Sequence, residues 1–204
     1  MTHLEHVLRD SAPAGDAGAA AIAARRVVAR ADQEGAADVA YAVLPSPLGA
    51  LAGVCTRRGL LCLSYRVERL DELLEGLAAA VSPRILESPA RLDAVARELD
   101  EYFAGRRRRF ELPIDWSLSH GFARRVLRAT AKVPYGTATT YTEVAGRAGS
   151  PLAVRAAGNA LAANPVPIVV PCHRVLRVGG GLGGYAGGLD RKRFLLELEG
   201  ALEG

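Results

Sequence analysis

One segment, residues 164–188, constrains the fold and the chemistry of this chain more than any other. It reads N-P-V-P-I-V-V-P-C-H-R-V-L-R-V-G-G-G-L-G-G-Y-A-G-G and places Cys172 between a proline and His173. Prolines bias the residues before them to extended backbone, and the apolar run at 168–170 is typical of a strand. The glycine-dense loop that follows lets backbone approach a flat ligand closely. The segment therefore predicts an extended approach to a thiol, next to a loop suited to a planar ligand.

A cysteine beside a histidine is weak evidence of catalysis when taken alone, because cysteine is among the most buried residue types. A free thiol with a pKa near 8.5 is mostly protonated at neutral pH, so a nucleophilic cysteine needs a base. That base in turn needs a group that orients it. Because adjacent residues of an extended chain point in opposite directions, Cys172 and His173 are not expected to touch directly.

Composition excludes several classes of protein. The 204 residues are 50% hydrophobic, which suits one large domain or two small ones. Three cysteines without a C-x-x-C pair predict neither a disulfide framework nor a zinc site, and they favour a reducing cytoplasm. No run of 18 or more residues is apolar without a charge or proline, so no membrane span is expected. The N-terminus also lacks the order of regions that a signal peptide has.

The net charge of +4 is unevenly distributed. Residues 1–109 contain 15 Arg and Lys against 15 Asp and Glu, whereas residues 110–204 contain 11 against 7. The excess lies in the half that contains Cys172, and it is compatible with phosphate contact.

The first 38 residues are rich in Ala, Gly, Asp and Arg and are expected to be a poorly ordered leader, with a helix at 20–31 as the alternative. Strand patterns then occupy 40–44, 51–56 and 60–65, with a hairpin turn at Gly59. Symmetric pairing about this turn places Cys55 opposite Cys62 on one face, where buried packing is favoured over a redox pair. The other face would hold Val54, Leu61, Leu63 and Tyr65.

Two amphipathic helices are predicted at 70–80 and 91–104, the second closed by Gly105. Strands followed by helices indicate a small α/β or α+β domain over 39–109. The basic run at 106–109 follows a helix end, where cations are favoured, so a solvated face is preferred to DNA contact. Residues 110–119 are interpreted as a linker.

The C-terminal half carries a helix-turn-helix pattern. Helices are predicted at 122–130 and 142–147, and a further helix at 152–163 would have Ser150 as its N-cap and Pro151 at its first position. This last helix is rich in alanine, and Arg155 is its only charge. Small side chains let a helix lie close to DNA, while one cation is too few to read bases.

These motifs together resemble the active-site signature of the O6-alkylguanine-DNA alkyltransferases, also called the methylated-DNA--protein-cysteine methyltransferase family. The resemblance covers about residues 39–200 and is strongest over 132–200. It implies a mixed α/β (α+β) fold with a ribonuclease-H-like N-terminal domain at 39–109. A helix-turn-helix, winged-helix-like domain for DNA binding and alkyl transfer would follow at 120–204.

The resemblance also implies a reaction. The family transfers the alkyl group of O6-alkylguanine, and of O4-alkylthymine, irreversibly onto its own cysteine, as a single-turnover methyltransferase without a cofactor. Cys172 matches the acceptor, and His173 matches the base, which acts through water. Glu199 matches the carboxylate that orients the base, and Asn164 matches the asparagine that ties the recognition helix to the active-site loop.

The implied partner is double-stranded DNA, bound through the minor groove with the alkylated guanine flipped out. Arg155 matches the arginine that replaces the extruded base, and Tyr141 matches the tyrosine that helps rotate the nucleotide. The guanine would be bracketed by Pro167, the backbone of Val175, and the loop containing Tyr185 and Ala186. A monomer in the cytoplasm is expected, and the zinc ligands of some relatives are missing.

Some positions depart from the family pattern. Leu127 stands where many members have tryptophan, Ala123 where glutamine is common, and Ala186 where some have serine. Cys172 argues against a non-catalytic subgroup that has tryptophan there. Two other classes stay open: a cysteine hydrolase, which would need an oxyanion hole, and a damage sensor that binds without repair.

Overall fold

A four-stranded sheet with the order β3-β2-β1-β4 forms the N-terminal half of the computed structural model, which describes residues 36–202. Strands β1 (Val39–Leu44), β2 (Leu51–Thr56) and β3 (Gly59–Ser64) are antiparallel neighbours, while β4 (Ile85–Glu87) pairs with β1 in parallel. The three predicted strands are confirmed. The fourth is only three residues long between prolines, too short to show an alternating pattern. The predicted leader and its alternative helix lie outside the described residues, except for 36–38.

The two predicted helices of this half are present. Helix α1 spans Leu70–Ala80, and α2 spans Asp93–Phe103 after a 3-10 turn at Pro89–Leu92. Gly105, with a φ of 71°, follows the end of α2 as expected, and its N–H donates to the Tyr102 carbonyl.

The predicted pairing of Cys55 with Cys62 is wrong. A register shift between Val54 and Cys55 pairs Cys55 with Leu60 and Cys62 with Val54. A shift of one residue turns a side chain to the other face of a sheet. Cys55 therefore packs in the main core, whereas Cys62 packs in a smaller cluster with Val39, Val54, Leu61 and Leu77.

Residues 110–119, predicted as a linker, are bonded to the edge of β3. Leu60 pairs with Ile114, with Leu60 N–H donating to Pro113 O at 2.8 Å and Asp115 N–H donating to Leu60 O at 2.9 Å. The Asp115 carboxylate accepts from Thr56 and Arg58 of the hairpin and caps the 3-10 helix Trp116–Leu118. The domain boundaries themselves stay a prediction.

Four further helices make up the C-terminal half: α3 (Gly121–Thr130), α4 (Tyr141–Arg147), α5 (Val154–Ala162) and α6 (Leu189–Leu198). Thr140 and Glu143 form a capping box at the start of α4. The predicted Ser150 cap and Pro151 start of α5 are wrong. Ala153 N–H donates to Ser150 O, closing a turn, and the helix begins only at Val154.

The apolar run at 168–170 is not a strand, contrary to the prediction. Val169 N–H donates to Pro167 O and Val170 N–H to Val166 O, and Ile168 has a φ of 73°. Successive turns thus replace extended backbone, and Cys172–Arg174 forms one 3-10 turn before the short strand β6 (Val175–Leu176). Strand β6 pairs in parallel with β5 (Thr139–Thr140).

One hydrophobic core joins the two halves. Its buried members come from β2, α2, α3, α5, the cysteine segment and α6, among them Leu51, Leu99, Leu127, Leu161, Val170 and Leu195. Within residues 36–202 no helix has the length and apolar character to cross a membrane.

The close approach of residues 110–119 to the hairpin gives a stability prediction. A Cβ at Gly59, whose φ is 130°, would lie 2.1 Å from Pro113 O, so Gly59→Ala should destabilise the fold by about 1–3 kcal/mol. Gly76 lies in α1 with nothing within 4 Å of its Cβ position, so Gly76→Ala should stabilise by about 0.5–1 kcal/mol. Urea unfolding of both variants measures this, and equal effects would contradict the close contact.

Candidate active site

The side chain of Asn164 shapes the turn that presents Cys172. Its Oδ1 accepts from Val166 N–H at 3.0 Å, and its Nδ2 donates to Val170 O at 2.9 Å. The same Nδ2 donates to Cys172 Sγ at 3.1 Å. Asn164, just beyond the end of α5, thus binds backbone on both sides of the turn and the thiol itself. This is the tie between helix and loop that the resemblance implied.

Glu199 and His173 form a buried pair. Glu199 caps the C-terminus of α6, and its Oε1 lies 2.9 Å from His173 Nε2. Both side chains have no exposed area. The structure therefore brings the predicted base and its predicted orienting carboxylate together.

Three further donors hold the Glu199 carboxylate. Arg174 donates from Nε to Oε2 and from Nη2 to Oε1, each at 2.8 Å. The Tyr102 hydroxyl donates to Oε1 at 2.6 Å, and Gly136 N–H donates to Oε2 at 3.4 Å. Burial alone would raise the pKa of Glu199, but the hydrogen bonds from His173 and Arg174 outweigh it and hold that pKa at about 2. Glu199 is therefore ionised at neutral pH.

The charge of Glu199 selects the tautomer of His173. An ionised carboxylate only accepts hydrogen bonds, so Nε2 carries the proton and Nδ1 has the free lone pair. Burial lowers the pKa of His173, although Glu199 acts in the opposite direction, so the ring is neutral before reaction. Among the described residues, the buried Nδ1 has no hydrogen-bond partner. It is the atom available to accept a proton.

The thiol of Cys172 is protonated in this environment. Burial raises the pKa of Cys172, while the Asn164 hydrogen bond and the charge of Lys192 act in the opposite direction without cancelling it. The 3-10 turn, rather than the extended backbone that was expected, separates the thiol from the neighbouring ring. Thiolate formation therefore depends on a base.

Cys172 lines a cavity of about 430 Å³ beside α5. Four other predicted site residues also line it: Tyr141, Arg155, Tyr185 and Ala186. Pro167 and Val175 are buried and do not line this cavity. Their contact with a base stays a prediction.

Tyr141 connects the recognition helix to the glycine loop. Its ring lies 3.9 Å from the Cβ position of Gly158 on α5, and its hydroxyl lies 2.8 Å from that of Gly183. Gly183 has a φ of 67°, so a side chain there would be both strained and in contact with Tyr141. Arg155 is exposed on α5, one turn before Asn159 at the cavity rim.

Two residues missed by the sequence analysis hold the loop around Tyr185. Tyr65 of the N-terminal half has its hydroxyl 2.7 Å from that of Tyr185. Lys192 is fully buried and donates to the carbonyls of Val175, Leu182 and Gly184. Burial lowers the pKa of Lys192 to about 8. Its position three residues into α6, on the buried side, is the only sequence signal that it gives.

Tyr102 and Arg174 were missed as well. Arg174 follows the Cys-His pair directly, so its place in the motif could have indicated a role. Nothing in the sequence places Tyr102, 97 residues before Glu199, at the same carboxylate. In the part of the chain that the structure describes, no group of three or more His, Cys, Asp or Glu could hold a metal ion.

Comparison with known proteins gives consistent matches over both halves. The 6-O-methylguanine DNA methyltransferase, ribonuclease-like domain, matches residues 39–116. The 6-O-methylguanine DNA methyltransferase, DNA binding domain, matches residues 121–201.

Similar sequences and structures agree. The inducible methylated-DNA--protein-cysteine methyltransferase of Bacillus subtilis is 37% identical over 145 residues, 71% of this chain and 80% of the relative. The methylated-DNA--protein-cysteine methyltransferase of Mycolicibacterium paratuberculosis is 47% identical over 113 residues, 55% of this chain and 68% of the relative. The crystal structure of Mycobacterium tuberculosis OGT in complex with DNA has a TM-score of 0.66 and 34% identity, covering 79% of this chain and 93% of that one.

The Glu199 network predicts a pH-dependent loss of stability in Glu199→Gln. The pKa of Glu199 is lowered from 4.5 to about 2 by folding, so its contribution is present above pH 4.5 and is lost as pH falls toward 2. The variant should be less stable by roughly 3 kcal/mol at pH 7, and the difference should shrink below pH 4.5. Urea unfolding across pH measures this. Glu197→Gln, an exposed neighbour on α6, is the control and should change little.

The same variant tests the relay between Glu199 and the thiol. Labelling of Cys172 by iodoacetamide should move to higher pH in Glu199→Gln, because His173 loses the group that orients it. Labelling that follows wild type at every pH would remove Glu199 from the relay.

Proposed function

The chain belongs to the methylated-DNA--protein-cysteine methyltransferase family, and we propose that Cys172 is the residue on which it accepts alkyl groups from O6-alkylguanine in DNA. The observation that carries this assignment is the linked set Asn164–Cys172 and His173–Glu199 at the floor of one cavity. The protein is a DNA repair methyltransferase that acts on alkylated DNA, and its own cysteine is the acceptor.

The reaction is a displacement at the saturated carbon attached to O6. Sγ of Cys172 forms a bond to this carbon while the bond from carbon to O6 breaks. The thiol proton passes to His173 Nδ1, through water because no hydrogen bond joins the two side chains in the described structure. The guanine leaves with the electron pair of the broken bond and gains a proton at N1, so atoms and charge balance.

Glu199 supports the proton transfer without itself reacting. A protonated His173 would carry its charge next to an ionised carboxylate, which stabilises the imidazolium. The partner carboxylate stays ionised because Arg174 and Tyr102 also donate to it. The thioether product has no leaving group as good as the guanine anion, so each molecule reacts once and needs no cofactor.

The base reaches Cys172 only outside the helix stack, which supports nucleotide flipping from the minor groove. Helix α5 presents small residues and the exposed Arg155 beside the cavity mouth, so a backbone can approach closely. Arg155 would occupy the place of the extruded base. Tyr141, packed between α5 and the loop at 183–184, would guide the nucleotide toward Cys172.

The cavity walls then read the base. Tyr185 and Ala186 line it, and Pro167 and the Val175 backbone would complete the bracket around guanine when DNA is bound. One chain supplies all of these residues, which supports action as a monomer. Free thiols at Cys55, Cys62 and Cys172 support a reducing, cytoplasmic setting.

The role of Cys172 is tested by intact mass. Wild type incubated with duplex DNA containing O6-methylguanine should gain one methylene unit per chain, located on Cys172, without any added cofactor. Cys172→Ser should fold and bind DNA but gain nothing. Cys62→Ser changes a thiol outside the cavity and should react like wild type. Repair by Cys172→Ser would refute the assignment, binding without a mass gain in wild type would support a sensor, and multiple turnover would support a hydrolase.

Flipping is separated from chemistry by comparing two substrates. Extrusion from a duplex costs a few kcal/mol and costs nothing for a free base. Arg155→Ala should therefore slow duplex repair by roughly ten- to a thousandfold, because each 1.4 kcal/mol is a factor of ten. Reaction with free O6-benzylguanine should barely change. Tyr141→Phe should act in the same way but more weakly, since only the hydroxyl is lost.

The measured quantity is the ratio of the duplex rate to the free-base rate. Arg97→Ala removes an exposed arginine from α2 and should leave that ratio unchanged. If Arg155→Ala lowers both rates equally, Arg155 supports the fold or the pocket instead of flipping.

A further inference from the structure

A second cavity, of about 650 Å³, shares no lining residue with the cavity that contains Cys172. Its wall is formed by two segments, 108–114 after α2 and 131–135 after α3, together with Val169, Pro171 and Arg174. Four of the described lining residues are cationic and none is acidic: Arg108, Arg109, Lys132 and Arg174.

The positive charge of this cavity is not neutralised by the protein. Within residues 36–202, neither Arg108, Arg109 nor Lys132 forms an ion pair. The neighbouring Arg107, by contrast, pairs with Glu98 and Glu101 and does not line the cavity. A charged run is usually a solvated face, but here cations from two separate segments converge on one concave wall. Convergent like charges are unfavourable unless an anion lies between them.

Tyr135 gives the wall a planar element between two cations. The guanidinium carbons of Arg108 and Arg174 each lie 5.8 Å from the centre of its ring. The ring therefore keeps both guanidinium groups close to the cavity. Guanidinium groups fixed in this way suit the oxygens of phosphate, which they bind with paired hydrogen bonds.

Arg174 belongs to this cavity and to the Glu199 network at the same time. Two of its hydrogen bonds go to Glu199, and a third goes from Nη1 to Val133 O at 2.5 Å. An arginine has about five N–H donors, so these bonds leave two for another acceptor. An anion in the cavity would thus share a guanidinium with the carboxylate that orients His173.

We propose that this cavity is a phosphate-binding site whose occupation weakens the Arg174–Glu199 pair and slows alkyl transfer at Cys172. The ligand chemistry is a phosphate oxyanion, carried either by a free phosphate compound or by a nucleic-acid backbone. Arg108, Arg109 and Lys132 supply the charge that attracts it. Arg174 communicates its presence to Glu199, because a guanidinium that turns toward the phosphate holds the carboxylate less well.

Binding is tested with inorganic pyrophosphate and the full chain by calorimetry at constant ionic strength. The double variant Arg108→Ala with Arg109→Ala should bind about tenfold more weakly or worse. The control is Arg97→Ala with Arg106→Ala, which removes the same charge from exposed arginines outside the cavity. Unchanged affinity in the control supports the site. Equal affinity in all three proteins, or no binding to wild type, overturns it.

The coupling is tested by the rate at which Cys172 reacts with free O6-benzylguanine, since no DNA is then present. Saturating pyrophosphate should slow wild type and the control by about fivefold, the lower end of ordinary coupling between sites. The rate of Arg108→Ala with Arg109→Ala should not respond. Slowing to the same extent in all three proteins, or in none, overturns the coupling.

The source of the phosphate is distinguished with unmodified duplex DNA. If backbone phosphates occupy the cavity, the double variant should bind DNA more weakly than the control, and the salt dependence should fall by about two contacts. If the ligand is a free phosphate compound, the double variant and its control should bind DNA equally. Both results support the site, because calorimetry with pyrophosphate decides its existence independently of DNA and of alkyl transfer.

Discussion

The buried carboxylate of Glu199 is the interaction on which the site depends. A charge without solvent is strongly unfavourable unless it is fully hydrogen-bonded, and here five hydrogen bonds reach its two oxygens. The donors come from α2, from the turn before β5, and from the 3-10 turn after Cys172. Burying this one charge therefore fixes three separate segments against the end of α6. Catalytic geometry and tertiary structure share the same atoms.

The chemistry follows from that constraint. Because Glu199 stays ionised, His173 is held as the tautomer whose Nδ1 accepts a proton. Asn164 has a parallel role on the other side of the thiol, where its amide replaces backbone partners and donates to Sγ. The result is a thiol that is neutral and buried at rest. Deprotonation is thereby confined to the moment when a base-pair partner has left the stack and an alkyl carbon is in place.

The sequence predicted the elements whose evidence is local. Helices at 70–80 and 122–130 show the periodicity of an amphipathic helix, and the Cys172 motif identified the acceptor together with its base. Predictions failed where a single residue changed the outcome. One register shift separated Cys55 from Cys62, and the Asn164 side chain replaced a strand at 168–170 with turns. Tyr102 could not be placed because only tertiary packing brings α2 to the end of α6.

The contacts missed by the sequence also define what the N-terminal half contributes. Tyr102 donates to Glu199, behind the base, and Tyr65 bonds to Tyr185, at the wall of the cavity. Both hydroxyls are largely buried, so removing either would leave an unpaired polar atom beside the site. The helix-turn-helix thus presents the nucleotide, while the sheet and α2 hold the groups that read and react with it. A ribonuclease-like domain without catalytic residues of its own still participates in the chemistry, because it orients groups on both sides of the reacting thiol.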